Sequence, residues 1–77
     1  MKKIREYVRE SDFKMLIKNN NIDIENYTKI IDITDTKIEI LNNDIKIKIL
    51  GKNLTINKLL NNEILIIGKY NNILFED

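Results

Sequence analysis

Pairs of large apolar residues two positions apart recur along the chain with polar residues between them: Met15/Ile17, Ile22/Ile24, Ile31/Ile33, Ile38/Ile40, Ile45/Ile47/Ile49, Leu54/Ile56, Ile64/Ile66 and Ile73/Phe75. Alternation of period two puts one row of side chains on one face of a pleated strand. The pairs return about every seven to nine residues, which leaves room only for tight turns between strands. The pattern predicts an all-β fold, a small antiparallel meander of seven or eight short strands.

The turns can be placed by register, because facing positions of an antiparallel hairpin keep a constant sum and share a face. Asn19-Asn20 joins Ile17 to Ile22, and Asp35-Thr36 joins Ile33 to Ile38. Asn42-Asn43 pairs Ile40 with Ile45 and sets Glu39 opposite Lys46, and asparagine tolerates the positive φ of such a turn. Gly51-Lys52 suits a type II′ turn that pairs Ile49 with Leu54, with Gly51 at positive φ. Tyr27-Thr28 joins Ile24 to Ile31 in the same way.

Residues 57–63 are too long for a tight turn and contain Leu59 and Leu60, so a loop or a single helical turn plugging one end of the core is expected. Glu63 to Tyr70 is apolar on both faces, which predicts a central or interface strand, and Gly68 leads into a turn before a last strand over 73–76. Such a sheet must cover its apolar row by closing into a barrel, by folding into a two-layer sandwich or against a second subunit. A β-solenoid is the less favoured arrangement.

Residues 1–12 read as a separate leader, helical or disordered, with Ile4, Tyr7 and Val8 at helical spacing among charged residues. Residues 13–77 form the single all-β domain. At 77 residues the domain is near the size at which burial becomes marginal, so a partner or a homo-oligomer is expected.

Histidine and cysteine are absent and Ser11 is the single serine, which removes the usual nucleophiles, general bases and zinc ligands. Neither a catalytic residue nor a metal or cofactor site is expected. Thirteen basic residues against twelve acidic ones, interspersed along the strands, argue against a nucleic-acid interface. An Sm-like or OB-type nucleic-acid module is the alternative, and it would need basic and aromatic residues clustered on one sheet face. No apolar run is long enough to span a bilayer and no export signal is visible, so a cytoplasmic location is expected. Isoleucine, lysine and asparagine dominate, a bias that reads as the mark of an AT-rich genome, under which much of the asparagine carries no structural message.

A second apolar set falls on the opposite parity: Leu16, Ile30, Leu41, Leu50, Leu65, Ile67 and Leu74. It is either the far wall of a sandwich or an exposed patch that marks an interaction surface. Leu65, Ile67, Leu74, Leu16 and Leu41 are the candidate surface residues.

The runs Ile24-Glu25-Asn26-Tyr27, Ile30-Ile31-Asp32-Ile33-Thr34-Asp35 and Ile45-Lys46-Ile47-Lys48-Ile49-Leu50-Gly51-Lys52-Asn53-Leu54-Thr55-Ile56, with Gly68 and Ile73-Leu74-Phe75-Glu76 beyond, resemble the YabP/YqfC family of sporulation proteins. The spacing of Gly51, Leu54, Ile56 and Gly68 carries most of that resemblance, which covers roughly 13–76. The chain departs from the family where asparagine or aspartate replaces turn glycines, at Asn20, Asn21, Asn43 and Asp44, and at Tyr70. The resemblance implies a non-enzymatic protein of spore or spore-coat assembly in a sporulating bacterium of the Firmicutes type. It would act on other proteins, a membrane-bound sporulation partner among them, beside the forespore membrane or coat, and it brings no catalytic residues.

Overall fold

The computed structural model describes residues 12–60 and 62–77. The helical or disordered leader expected over 1–12 lies outside the described residues except for Asp12. Six strands make one antiparallel sheet: β1 (Lys14–Ile17), β2 (Asn21–Glu25), β3 (Lys29–Ile33), β4 (Lys37–Asn42), β5 (Ile45–Leu60) and β6 (Glu63–Glu76). Their spatial order is β1-β2-β6-β5-β4-β3, a β3-to-β6 meander with the β1–β2 hairpin added beside β6. Strands β1 and β3 remain at the two ends of the order, so the sheet is not closed into a barrel, and the antiparallel pairing throughout excludes the solenoid.

The strands are fewer than expected because two of them are long. Strand β5 continues through Gly51 instead of reversing there, and β6 absorbs both the apolar segment and the final strand. Register shifts at Leu50/Gly51, Lys52/Thr55 and Ile56/Lys58 bend this hairpin, and extra residues of this kind bend a strand and increase its twist. The first half of β5 pairs with β4, whereas the first half of β6 pairs with β2. The bend therefore splits the sheet into two halves that share β5 and β6.

Nine residues form a single buried cluster: Ile22, Ile24, Ile38, Ile40, Ile47, Ile49, Leu54, Ile64 and Ile66. Ile22, Ile24, Ile64 and Ile66 belong to one half and Ile38, Ile40, Ile47 and Ile49 to the other, so the sheet folds over and each half covers the other's isoleucine face. All nine belong to the row that the alternating pattern marks out, whereas Ile17, Ile45 and Phe75 of the same row are exposed. In β3 a bulge between Ile30 and Asp32 turns Ile30 toward the core and leaves Ile31 40% exposed, while Ile33 faces buried Ile38 and, on a strand at the end of the order, is still 43% exposed.

Two expected turns are present. Ile17 faces Ile22 across Asn19-Asn20, closed by the Lys18 N–H donating to Asn21 O at 2.8 Å. Ile33 faces Ile38 across Asp35-Thr36, closed by the Thr34 N–H donating to Lys37 O at 2.8 Å. In the second turn Thr34 Oγ1 also accepts from the Lys37 N–H at 2.9 Å, the side-chain turn that threonine favours.

The others differ. The β4–β5 turn lies one residue later than expected, at Asn43-Asp44, so Ile40 faces Ile47 and Glu39 faces Lys48 rather than Lys46. Asn43 is the residue that takes the left-handed conformation, at φ 57°. That two-residue slip preserves parity, which is why the core row survives it. Tyr27-Thr28 is no hairpin turn: Asn26, at φ 64°, redirects the chain from β2 to β3 at the far end of the sheet, and the strand that flanks β2 is β6. Residues 57–60 are strand rather than a core plug, and Leu59 and Leu60 stand 56% and 55% exposed.

Gly51 is not at positive φ; its role is close approach. A Cβ there would collide with the Lys69 carbonyl oxygen and lie 2.7 Å from Tyr70 Cα on the facing strand. Gly68, at φ 143°, occupies the corresponding bend of β6, with Asn53 O and Leu54 Cα 2.7 and 2.9 Å from the position of a Cβ. Each glycine bend also docks a hairpin turn, since the Gly51 N–H donates to Thr36 O and the Gly68 N–H to Asn20 O, both at 3.0 Å.

The register exposes an internal repeat. Ile17-Lys18-Asn19-Asn20-Asn21-Ile22-Asp23-Ile24 in β1–β2 has the same turn and facing pattern as Ile33-Thr34-Asp35-Thr36-Lys37-Ile38-Glu39-Ile40 in β3–β4. Ile64-Leu65-Ile66-Ile67-Gly68 flanks the first unit as Ile47-Lys48-Ile49-Leu50-Gly51 flanks the second. Asp23 thus corresponds to Glu39, Asn21 to Lys37 and Leu65 to Lys48.

Candidate functional site

Residues between the buried isoleucines point outward, and they give the two halves different surfaces. In the β3–β4–β5 half, Asp32, Glu39, Lys48 and Leu74 form one row across four strands. Glu39 is 8% exposed and tied down on both sides, with Lys37 Nζ 3.8 Å and Lys48 Nζ 3.7 Å from its carboxylate. Lys37 also reaches Asp32 at 3.8 Å and Lys48 reaches Glu76 at 3.6 Å, so the network is alternating and compensated.

The β1–β2–β6 half has the equivalent row Leu16, Asp23, Leu65 and Lys58. Here the lysine positions that flank Glu39 are occupied by Asn21 and Leu65. Asp23 Oδ1 is buried and has no hydrogen-bond partner among the described residues. The next row sets Glu25 directly opposite Glu63, and like charges in that position are unfavourable. Carboxylate oxygens of Asp23, Glu25 and Glu63 lie within 4.8 Å of one another. Lys14 stands 3.7 Å from Glu25 and Lys58 3.6 Å from Glu63 at the margins. Hydrogen bonding with Asp23, then burial and the Asp23 charge, hold the Glu63 carboxyl above the usual carboxylate range, against the opposing pull of Lys58. A calcium site gathers about six to eight oxygens; this trio, on a sheet face with two members already ion-paired, falls short of such a cage.

Beside the trio, an open depression of about 960 Å³ is walled by Tyr27, Ile30, Leu59 and Leu60, with Glu25 and Glu63 on its rim. Its shape is set by the β2–β3 crossover, where the Asn26 N–H donates to Asn62 O at 2.6 Å and Asn26 Nδ2 donates to Asp12 O at 2.7 Å. Burial pushes the Tyr27 phenol up, and its ring serves as part of the wall.

The five candidate surface residues do not make one patch. Leu16, Leu65 and Ile67 lie together on the β1–β2–β6 half: Leu16 and Leu65 both face Asp23, and Ile67 faces Asn21 in the neighbouring row. Leu16 and Ile67 are 50% and 36% exposed and Leu65 is half-buried. Leu41 and Leu74 lie on the other half, Leu41 half-buried between Lys29 and Lys46 and Leu74 exposed beside Lys48. Alternation alone marked Leu65 as outward-facing, but Glu63 joins Asp23 and Glu25 only through the β2–β6 pairing of distant segments, and no local signal gives that pairing.

No family model, curated protein or solved structure matches the chain. No helix among the described residues is long and apolar enough to cross a membrane.

Proposed function

We propose that this chain is a non-enzymatic protein-interaction domain that docks on another protein through the outer face of its β1–β2–β6 half. The observation that supports this best is the grouping of Leu16, Leu65 and Ile67 on neighbouring strands, with no strand or helix packed over them among the described residues. Exposed apolar side chains gathered on one sheet face mark contact surfaces. The edge of β1 that pairs with no other strand among the described residues, next to Leu16, offers main-chain donors and acceptors to an incoming strand. The sequence supports the non-enzymatic reading, since it contains neither histidine nor cysteine.

The resemblance to the YabP/YqfC family supports a place in spore or spore-coat assembly, in the cytoplasm of a sporulating cell beside a membrane-bound partner. The test is affinity capture by the tagged full chain from the cells that make it. The Leu16→Ser/Leu65→Ser variant, verified as folded, is expected to lose a partner that Leu41→Ser and Leu74→Ser retain. Equal capture by all variants, or salt-sensitive retention of RNA or DNA with no protein partner, refutes the reading.

A further inference from the structure

We infer that the depression at the β2–β3 crossover takes a basic, leucine-type segment of the partner protein: an aliphatic side chain enters between Tyr27, Ile30, Leu59 and Leu60, and a lysine or arginine reaches the Asp23, Glu25 and Glu63 carboxylates. This rests on the protein-docking reading above and specifies the partner's chemistry.

The internal repeat supplies the argument. In one half of the sheet the outward acid between the two buried isoleucines, Glu39, has both neighbouring cation positions filled by Lys37 and Lys48. In the other half the same acid position, Asp23, has Asn21 and Leu65 in those places, leaves one oxygen without a partner among the described residues and lies beside two more carboxylates. Among the described residues, therefore, two lysines flank this acid in one unit, whereas in the equivalent unit Lys14 and Lys58 pair with Glu25 and Glu63 and no lysine pairs with Asp23. A positive charge beside Asp23 can be supplied by a docking chain, and Coulomb attraction is stronger where the approaching chain displaces water.

The apolar half of the partner follows from exposure. Leu59 and Leu60 are more than half exposed, at 56% and 55%, beside an opening of about 960 Å³, a volume that accepts a large side chain. An open depression with an apolar wall and carboxylates in its lining favours an aliphatic residue next to a cation and rejects an acidic segment through like-charge repulsion.

Titration of the isotope-labelled full chain with short amidated peptides tests this. An alternating leucine–lysine peptide is expected to move the amide resonances of Glu25, Tyr27, Leu59 and Glu63, while leucine–glutamate and serine–lysine peptides leave them in place. Glu63→Gln, which keeps the shape and removes charge, should weaken the leucine–lysine peptide by about tenfold. Leu65→Lys, which installs the equivalent of Lys48 beside Asp23, should raise the thermal midpoint and also weaken the peptide by about tenfold. The inference is overturned if the leucine–lysine peptide moves no resonances, if its shifts map to the Leu41 and Leu74 face, if the leucine–glutamate peptide binds as tightly, or if Glu63→Gln leaves its affinity unchanged. Calcium chloride alone producing and saturating the same shifts would also overturn it, in favour of a metal site. Capture of a partner through Leu16 and Leu65 is read separately, so failure here leaves the docking reading standing and its own failure is recognisable.

Discussion

Replacing Gly51 by alanine should destabilise the protein by about 2 to 4 kcal/mol, and the reason separates two accounts of this residue. A glycine retained for positive φ accepts asparagine, which tolerates the left-handed region. One retained for close approach accepts no Cβ at all. At Gly51 the added carbon would meet the Lys69 carbonyl oxygen and come within 2.7 Å of Tyr70 Cα, both backbone groups of β6 that no rotamer change can move. Ordinary contact needs about 3.5 to 4.0 Å, so the strands must part by roughly 1 Å. That loosens a couple of ladder hydrogen bonds worth about 0.5 to 1.5 kcal/mol each, on top of overpacking at about 1 to 3 kcal/mol. The opposing gain from a stiffer unfolded chain is only about 0.4 to 1 kcal/mol. For 77 residues a total stability of about 4 to 12 kcal/mol is ordinary, so the loss is a large share of it. Urea denaturation should show midpoints lowered by at least about 1 M in both Gly51→Ala and Gly51→Asn. A normal midpoint for Gly51→Asn with a lowered one for Gly51→Ala would refute the close approach and restore the tight turn.

Ile47→Ala, in the shared core, should cost about 2 to 5 kcal/mol and leave much of the population unfolded by circular dichroism, and a loss under about 1 kcal/mol would mean that Ile47 is not core. Asn53 sits at φ 53°, so Asn53→Ala should cost about 1 to 2 kcal/mol while Asn53→Gly stays close to neutral in the same melts. Glu63 is raised in the folded state, so its contribution to stability is full below the ordinary carboxylate range and is lost as pH rises through its folded value. Wild type should therefore lose stability relative to Glu63→Gln as pH is raised from about 4 to 7, and parallel stability curves would contradict the crowding of the carboxylates.

Parity was the legible part of this fold. Of the row that period-two alternation marks, the structure buries Ile22, Ile24, Ile38, Ile40, Ile47, Ile49, Leu54, Ile64 and Ile66 and leaves Ile17, Ile31, Ile33, Ile45 and Phe75 exposed. A hairpin slip of two residues leaves every side chain on its own face, so the core was readable even where the β4–β5 turn was misplaced. Turns with local chemistry, such as Thr34 closing on Lys37, were readable too. Bends were not. Gly51 and Gly68 have the local appearance of turn glycines, and what keeps β5 and β6 running past them is backbone from distant segments, Lys69 and Tyr70 at one and Asn53 and Leu54 at the other. Asparagine, which composition alone made uninformative, takes all three positive-φ positions outside glycine among the described residues, at Asn26, Asn43 and Asn53. The crossover at Asn26 is also why the carboxylate trio was hidden, since it sends β3 away and leaves the flank of β2 to β6, which carries Glu63.

The claim that matters most is that the β1–β2–β6 outer face is the docking surface, and calorimetric titration of the captured partner into surface variants tests it most directly. Two apolar contact residues near the centre of an interface each contribute about 1 kcal/mol or more when truncated. Leu16→Ser/Leu65→Ser should therefore weaken the partner by at least about tenfold, while Leu41→Ser/Leu74→Ser, on the charge-compensated half, binds within about twofold of wild type. The reverse ranking, or equal affinity for both folded variants, would contradict it.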